Sequence, residues 1–477
     1  MPRFHFIHTN DLHSQLSMWP KAVSVIKELK HTLEDQEEPY VLVDIGDHMD
    51  RSHPITEGTL GQVNIDLLNQ LSYDYITIGN NEGITFPKAV LDNMYERAEF
   101  NVLVNNLFYE DGGRPPWLAP FQIIQCGRLK IGLLGTTIPF NQFYKMLGWQ
   151  IEHPIEAIRR DLEHLKGKVD FIVLLSHLGL PQDEKLLEEN EDIQLILGAH
   201  THHVLYRGKK VRDRWIAQCG RSGHYVGHVS VEWEDTLFEP HFSIQAQCIP
   251  TENHVSDHES LQTIEQQQHI ASQYLSEPIA EIKESLDINW YGESTLGNML
   301  AESLNDWCQA DFSLVNAGQI LDDIDKGEVT KYHVHQICPH PINPCVVTLS
   351  GKEVYAIIRK SLSEEFQQKE IKGFGFRGKV LGSLCLDGIE VIVNKDRSHI
   401  DPDHIRILYH NEPLDPEQTY RVATIDMFTF GRMYPEISRI DKSKVQYFLP
   451  EFLRDILAVR LQRLDLERAR KKRWHIT

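Results

Sequence analysis

Asp11 and His13, two residues apart in "TNDLH", open a series of side chains suited to holding a divalent cation. Asp47 stands in "GDHMD", Asn80 and Asn81 in "GNN", His177 in "SHLG", and His200, His202 and His203 in "AHTHH". Imidazole and carboxylate donors without a thiolate suit Mn, Fe, Zn, Co or Ni. The donors are numerous enough for two ions, with Asp47 as the natural bridging carboxylate. Asn80 adds a neutral amide oxygen, which ligates without overcharging the site. Two ions ~3.5–4 Å apart clamp a phosphoryl group, lower the pKa of a water between them and stabilise an in-line displacement. Each residue alone has a plain structural explanation: a buried histidine, a turn, a surface loop. Their joint occurrence is what points to a metal site.

These residues share a position in the chain pattern. Apolar runs at 3–8, 40–45, 74–78, 130–135, 171–176 and 193–198 read as strands, with helical stretches such as 20–34 and 153–166 between them. Strand–helix alternation of this kind predicts a layered α/β domain. Five of those strands lead directly into the metal-type residues, and in α/β sheets ligands bind at the carboxyl ends of strands.

The polar stretch "PTENHVSDHES" and the amphipathic "LQTIEQQQHIASQYL" after it mark residues 250–278 as the connection between domains. The expected division is therefore 1–249, a linker with an inter-domain helix at 250–278, and 279–477. Beyond 278 the pattern becomes a helix at 295–307 followed mainly by strands at 312–316, 345–349, 384–393, 405–409 and 420–425, an α+β arrangement. The C-terminal "ERARKKRW" reads as a solvated helix end whose cations suit the helix dipole.

Bulk properties narrow the function. A chain of 477 residues exceeds one core, and two or three domains are expected. With 48 Lys+Arg against 69 Asp+Glu the net charge is −21, which would repel a polyanion and argues against nucleic-acid binding. The N-terminus lacks the long apolar segment of a secretory signal, and no run approaches the ~18 apolar residues of a membrane span. The seven cysteines are scattered without a CxxC pair, which suits free thiols in a reducing compartment. A cytoplasmic protein that does not engage membranes is expected; the sequence does not address the oligomeric state.

"HTNDLHS", "DIGD", "GNNE", "SHLG" and "GAHTHH" resemble, in order and wording, the motifs of the calcineurin-like metallophosphoesterases, and of the 5′-nucleotidase family among them. "GESTLGNMLAES", "VNAGQILDDIDKGEVT" and "TLSGKEV" are similar to that family's C-terminal substrate-binding domain. The resemblance implies an N-terminal four-layer β-sandwich domain with a dinuclear metal centre, joined to an α+β substrate domain. It implies that Asp11, His13, Asp47 and His202 hold one ion, and that Asp47, Asn80, His177 and His200 hold the other. His203 falls outside the matching pattern. The implied activity is hydrolysis of a phosphoester of a small nucleotide-like substrate, by attack of metal-bound hydroxide on phosphorus. The alternatives are a nucleotide diphosphate-ester hydrolase, acting for example on nucleotide sugars, and a catalytically silent nucleotide or metal sensor.

The chain departs from that family at two places. The family reads GNHE with an Asp three residues after the His, a pair held to stabilise the transition state or protonate the leaving oxygen. Here Asn81 takes the catalytic position beside Asn80, and Ile84 replaces the Asp. General acid–base help contributes typically ~10²–10⁴-fold. Either the substrate has a better leaving group, or another residue such as His48, His53 or His203 substitutes, or the site is slow or only binds. In the second domain, Leu321 of "NAGQIL" stands where the family shows a phosphate-holding Arg. Substitute contacts are Arg377 and Lys379 beside Phe374 and Phe376 in "GFGFRGKVLG", and Arg432 beside Phe430 and Tyr434 in "MFTFGRMYP". In the family, two aromatics from these regions sandwich the base; Phe376 with Tyr434 is the expected pair, with Phe374 and Phe430 as the other choices.

Overall fold

A computed structural model describes residues 2–234, 241–396 and 399–476. The chain divides into two compact units, Met1–Ala271 and Ser272–Thr477.

The first unit contains two large sheets. One has seven strands in the order His241–Pro250, Tyr225–Glu234, Arg3–Thr9, Tyr40–Asp44, Tyr75–Ile76, Asn101–Leu103, Leu118–Ala119. The other has six: Lys209–Val211, Arg214–Ala217, Leu195–Gly198, Phe171–His177, Leu129–Thr137, Phe121–Cys126. Apolar side chains of both sheets, among them Phe4, Phe6, Val43, Leu133, Phe171, Val173 and Leu197, interlock in one fully buried core. Helices Pro154–Leu165 and Leu180–Glu189 cover the outer face of the six-stranded sheet through Ile158, Leu162, Leu186 and Leu187. Helix Trp19–Asp35 packs beside the Tyr225–Glu234 strand of the other sheet. This is the expected four-layer sandwich. The central strands run parallel: Arg3–Thr9 with Tyr40–Asp44 and Tyr75–Ile76, and Phe171–His177 with Leu129–Thr137 and Leu195–Gly198. Their carboxyl ends therefore emerge at one edge of each sheet. Strands covered on both faces read as continuous apolar runs, which is why these were visible in the sequence.

Several details differ from the sequence expectation. The run at 74–78 yields only a two-residue strand, Tyr75–Ile76. The antiparallel pair Tyr225–Glu234 and His241–Pro250 was not anticipated: its alternating burial lacks the long apolar signature of the buried strands. The helix expected in the connecting stretch is His258–Leu275. Its Ala271 packs against Gly58, and Gln267 donates to Asp66, so the division of the units falls inside this helix, between residues 271 and 272.

The second unit holds a five-stranded sheet in the order Leu384–Asp387, Phe312–Asn316, Thr419–Ile425, Pro344–Ser350, Gln446–Tyr447. Helix Thr295–Cys308, capped by Ser294 accepting from the Gly297 amide, lies against it. The single run expected at 384–393 is two strands, Leu384–Asp387 and Ile389–Asp396, broken at Gly388 (φ 84°). Helix Gly351–Ser361 was not anticipated, although its start is a capping box in which Ser350 and Glu353 bond each other's backbone amides. The basic C-terminus is a solvated helix end only in part: helix Leu466–Ala469 runs into exposed Arg470, Lys471 and Lys472, but the next residue turns inward. Arg473, only 5% exposed, pairs with Glu302 at 2.6 Å and Asp387 at 3.2 Å, and Trp474–Ile476 extends a sheet alongside Ile389–Asp396. Buried carboxylates in unremarkable sequence draw Arg473 inward.

Candidate metal centre

Six of the seven expected ligands, all but Asn80, come together in two groups. Asp11, His13 and His202 bring one donor atom each within 4.8 Å of one another, and so do Asp47, His177 and His200. The two groups adjoin: His177 Nε2 lies 3.5 Å, and His13 Nε2 3.8 Å, from Asp47 Oδ2. Asp47 thus stands between them, as a bridging carboxylate must.

The backbone of this edge is unusual. Asp11, His13, Asp47, His200 and His202 all have positive φ, between 50° and 70°. Non-glycine residues rarely adopt this region, although Asp and His tolerate it better than most. Such strain persists only where surrounding contacts fix it, and it collects at functional sites. The fixing contacts are explicit. The Asp11 carboxylate accepts from the His200 amide at 3.0 Å and from Asn10 Nδ2 at 2.7 Å. The Asp47 carboxylate accepts from the Asn81 amide at 2.8 Å. Glu82, which sequence reasoning passed over, accepts from the Asp47 and Gly79 amides with one oxygen, at 3.0 and 2.8 Å, and from the Met49 amide with the other, at 2.9 Å. It stitches the loop after one strand to the helix start after the next. A Glu three residues after Gly79 at a helix start is the sequence signal for that capping role.

Two glycines are required here. A Cβ at Gly46 would stand 2.3 Å from the Gly79 nitrogen, and one at Gly79 would stand 2.1 Å from Asp47 Oδ1. The close approach of these two loops delivers Asp47 and Asn80 to the same place.

The donor set fits divalent cations on three observations. Asn80 Oδ1 and His177 Nε2 are buried without a hydrogen-bond partner, a state native structures leave to few groups. His13 Nε2 and His202 Nε2 face one another at 3.0 Å, a contact that needs a proton or a cation between two lone pairs. His177 Nδ1 donates to the Ile45 carbonyl at 2.7 Å, which fixes the ring with Nε2 turned to Asp47, as ligating histidines are commonly held. The electrostatics agree. Burial disfavours a charged His177, but Asp47 outweighs that and lifts the imidazole to about 10. Burial would raise Asp47, but His177 and His13 pull its carboxyl well below the ordinary range. Burial pushes His13 down, and burial with the neighbouring His177 brings His200 to about 4. The site therefore favours a positive charge, carried by His177, beside ionised Asp47 and the lowered His13 and His200, and a divalent ion would supply that charge while displacing the proton.

Asn81 is buried, with its side-chain amide 2.7 Å from His13 Nδ1. The three histidines considered as substitutes for the missing acid are otherwise engaged. His48 is buried against Trp19, with its ring edge-on at 4.9 Å. His53 caps helix Pro54–Gly58. His203 is exposed and bonds Thr201 Oγ1 at 2.9 Å.

In the second unit, Phe376 and Tyr434 are buried. Phe376 stacks on His340 at 5.1 Å, and Tyr434 packs edge-on to Phe428 and Phe366. The exposed aromatics of the same segments are Phe374 (52%) and Phe430 (38%). Phe374 sits on a turn in which Gly373, Phe374 and Gly375 all have positive φ. Gly375 rests on the Pro341 carbonyl, and Asn343, two residues on, accepts from the Asp426 amide that opens helix Asp426–Phe430. Segment 341–343 thus links the two aromatic segments. Arg377 is half-buried and Arg432 exposed.

Paired sheets with metal-type donors gathered at one edge define a metal-dependent phosphoesterase, and comparison with known proteins agrees. The chain belongs to the calcineurin-like phosphoesterases, whose family model matches residues 4–204, and a 5′-nucleotidase C-terminal domain model matches residues 278–433. It is 40% identical over 465 residues to the uncharacterized metallophosphoesterase YunD of Bacillus subtilis, covering 96% of this chain and 99% of that protein. An apyrase of Anopheles gambiae is 26% identical over 424 residues, 76% of this chain and 72% of that one. Among solved structures, a putative 5′-nucleotidase from Staphylococcus aureus shares the fold over 99% of both chains (TM-score 0.69, 16% identity). The NAD nucleotidase of Haemophilus influenzae does so over 100% of this chain and 99% of its own (TM-score 0.64, 14% identity).

Proposed function

We propose that this phosphoesterase hydrolyses a phosphoester of a nucleotide-type substrate, with residues 1–249 carrying the chemistry and residues 279–477 selecting the substrate. The observation that carries the reading is the convergence of two donor groups on Asp47, with Asn80 Oδ1 and His177 Nε2 left unpartnered beside it. Asp11, His13, Asp47 and His202 would hold one divalent ion, and Asp47, Asn80, His177 and His200 the other, from among Mn, Zn, Fe, Co or Ni. Bound there, the ions would supply Lewis acidity and an activated water. The chain's own part is to keep the ligands oriented through Asn10, Glu82 and the Ile45 carbonyl, and to leave no proton-donating side chain at position 81. The names of the relatives support the nucleotide class: apyrases, snake venom 5′-nucleotidases and an NAD nucleotidase.

Phe374 and Phe430 are assigned the stacking role, with Arg432 and Arg377 near the phosphate, in preference to Phe376 and Tyr434. Their exposure supports the choice, and stacking on a base contributes ~1–3 kcal/mol per aromatic. The seven cysteines are all free thiols, which supports a reducing, cytoplasmic setting.

Asn81 favours a second reading, a diphosphate-ester hydrolase, because a phosphate leaving group departs without a proton. A phosphate-release screen over 5′-nucleotides, cyclic nucleotides and nucleotide sugars, run with each divalent ion, separates the two. Free phosphate from a 5′-nucleotide supports the monoesterase. Cleavage of a nucleotide sugar to two phosphorylated products supports the diphosphate-ester enzyme. No turnover with any ion would contradict both.

A further inference from the structure

Asn81 occupies the position where the related motif carries a proton donor, yet its side chain turns toward a metal ligand. Its side-chain Nδ2 stands 2.7 Å from His13 Nδ1. Its backbone is held at both ends: the Asn81 amide donates to Asp47 Oδ1 at 2.8 Å, and the Asn81 carbonyl accepts from Thr85 Oγ1. One residue therefore touches a member of each donor group. His13 needs such support. Its backbone φ is +50°, its side chain is partly exposed, and its Nε2 faces His202 Nε2 at 3.0 Å. The nearest carboxylate on the Nδ1 side, Asp50, is 3.8 Å away, beyond a hydrogen bond.

We infer that Asn81 is a positioning residue for metal binding: it fixes the orientation and tautomer of His13 so that Nε2 is free to ligate. A ring that ligates through Nε2 carries its proton on Nδ1, and the amide accepts that proton once it is turned so that Oδ1 takes the place of Nδ2. The two ends of an amide exchange by a half-turn about its last bond, so the same position serves. Partners of this kind to a ligating histidine are worth about 10–100-fold in metal affinity. At this position the asparagine supports the cation site and offers no proton to a leaving group. This rests on the dinuclear reading above.

The test is calorimetric titration of the metal-free full-length protein with Mn²⁺, comparing wild type, Asn81→Leu and Asn81→Asp. Leucine keeps the volume and removes the acceptor, whereas aspartate restores it. Wild type should take up two ions. Asn81→Leu should weaken one of them about 10–100-fold while its metal-free melting temperature stays near wild type, and Asn81→Asp should recover the affinity. In the nitrogen-detected NMR spectrum of the Zn²⁺-loaded protein, the His13 ring should be protonated on Nδ1 in wild type and Asn81→Asp. Two wild-type sites with unchanged affinities in Asn81→Leu would overturn the inference alone. Equal losses in the leucine and aspartate variants would make the contact mere packing and overturn it too. A wild-type protein that binds no Mn²⁺ would overturn the dinuclear reading and this inference with it.

Discussion

The metal edge of the first unit and the aromatic segments of the second are built on opposite principles. At the metal edge, buried Asp11 and Asp47 and partly buried His13, His200 and His202 sit on strained backbone that neighbouring amides and Glu82 hold in place. In the second unit, the aromatics suited to contact a ligand sit on exposed turns, while those anchoring the turns are buried in pairs such as Phe376 on His340. Coordination demands particular atoms at particular points, and the protein commits backbone strain to meet that demand. Stacking accepts any aromatic face, so a glycine-flanked turn suffices.

The same difference governs what could be read from the sequence. Asp11, His13, Asp47, His177, His200 and His202 are chemically distinctive and follow apolar strands, so residue type and position singled out together the side chains that the structure gathers into two groups. The aromatics of "GFGFRGKVLG" and "MFTFGRMYP" offer no such double signal. Phenylalanine serves core and surface alike, and only the structure separates buried Phe376 and Tyr434 from exposed Phe374 and Phe430. The contact between Asn81 and His13 was equally hidden, because 68 residues separate the partners and no local pattern joins them. Glu82 was legible in principle as a capping residue, but its hold on the Asp47 loop belongs to tertiary structure.

The comparison can be broken at either region. The largest effect is expected from Asp47→Ala, which removes the carboxylate standing between both donor groups. Phosphate release should fall at least about 10³-fold, roughly 4 kcal/mol of barrier, and metal analysis should find fewer than two ions. Retention of two ions and near-normal turnover would remove Asp47 from its bridging place.

In the second unit the buried and exposed aromatics should separate cleanly. Phe376→Ala and Tyr434→Ala each delete a buried ring and should lower stability by about 3–5 kcal/mol in urea titrations. Phe374→Ala and Phe430→Ala should leave the urea midpoint near wild type and raise KM by about 5–150-fold, corresponding to ~1–3 kcal/mol of lost stacking. The opposite pattern would return the binding role to Phe376 and Tyr434.

The smallest effect concerns His340, which lies fully buried beneath Phe376. Burial, aided by the nearby Arg377, holds its pKa down to about 3, from an ordinary 6.5. Between those values the unfolded chain binds the extra proton, so this contribution to stability is present above pH 6.5 and is lost as pH falls toward 3. Lowering the pH from 6.5 to 5.5 should cost wild type about 1 kcal/mol more than His340→Asn in matched urea titrations. Parallel curves for the two proteins would show that His340 is already charged, or free to become so, in the folded state.

The central claim, two cations gathered at one edge of a paired-sheet domain, is tested most directly by anomalous diffraction at the manganese edge from crystals grown with Mn²⁺. The account predicts two peaks ~3.5–4 Å apart, one among Asp11, His13 and His202 and the other among Asn80, His177 and His200, with Asp47 touching both. A single peak away from Asp47, or none at saturating Mn²⁺, would contradict it.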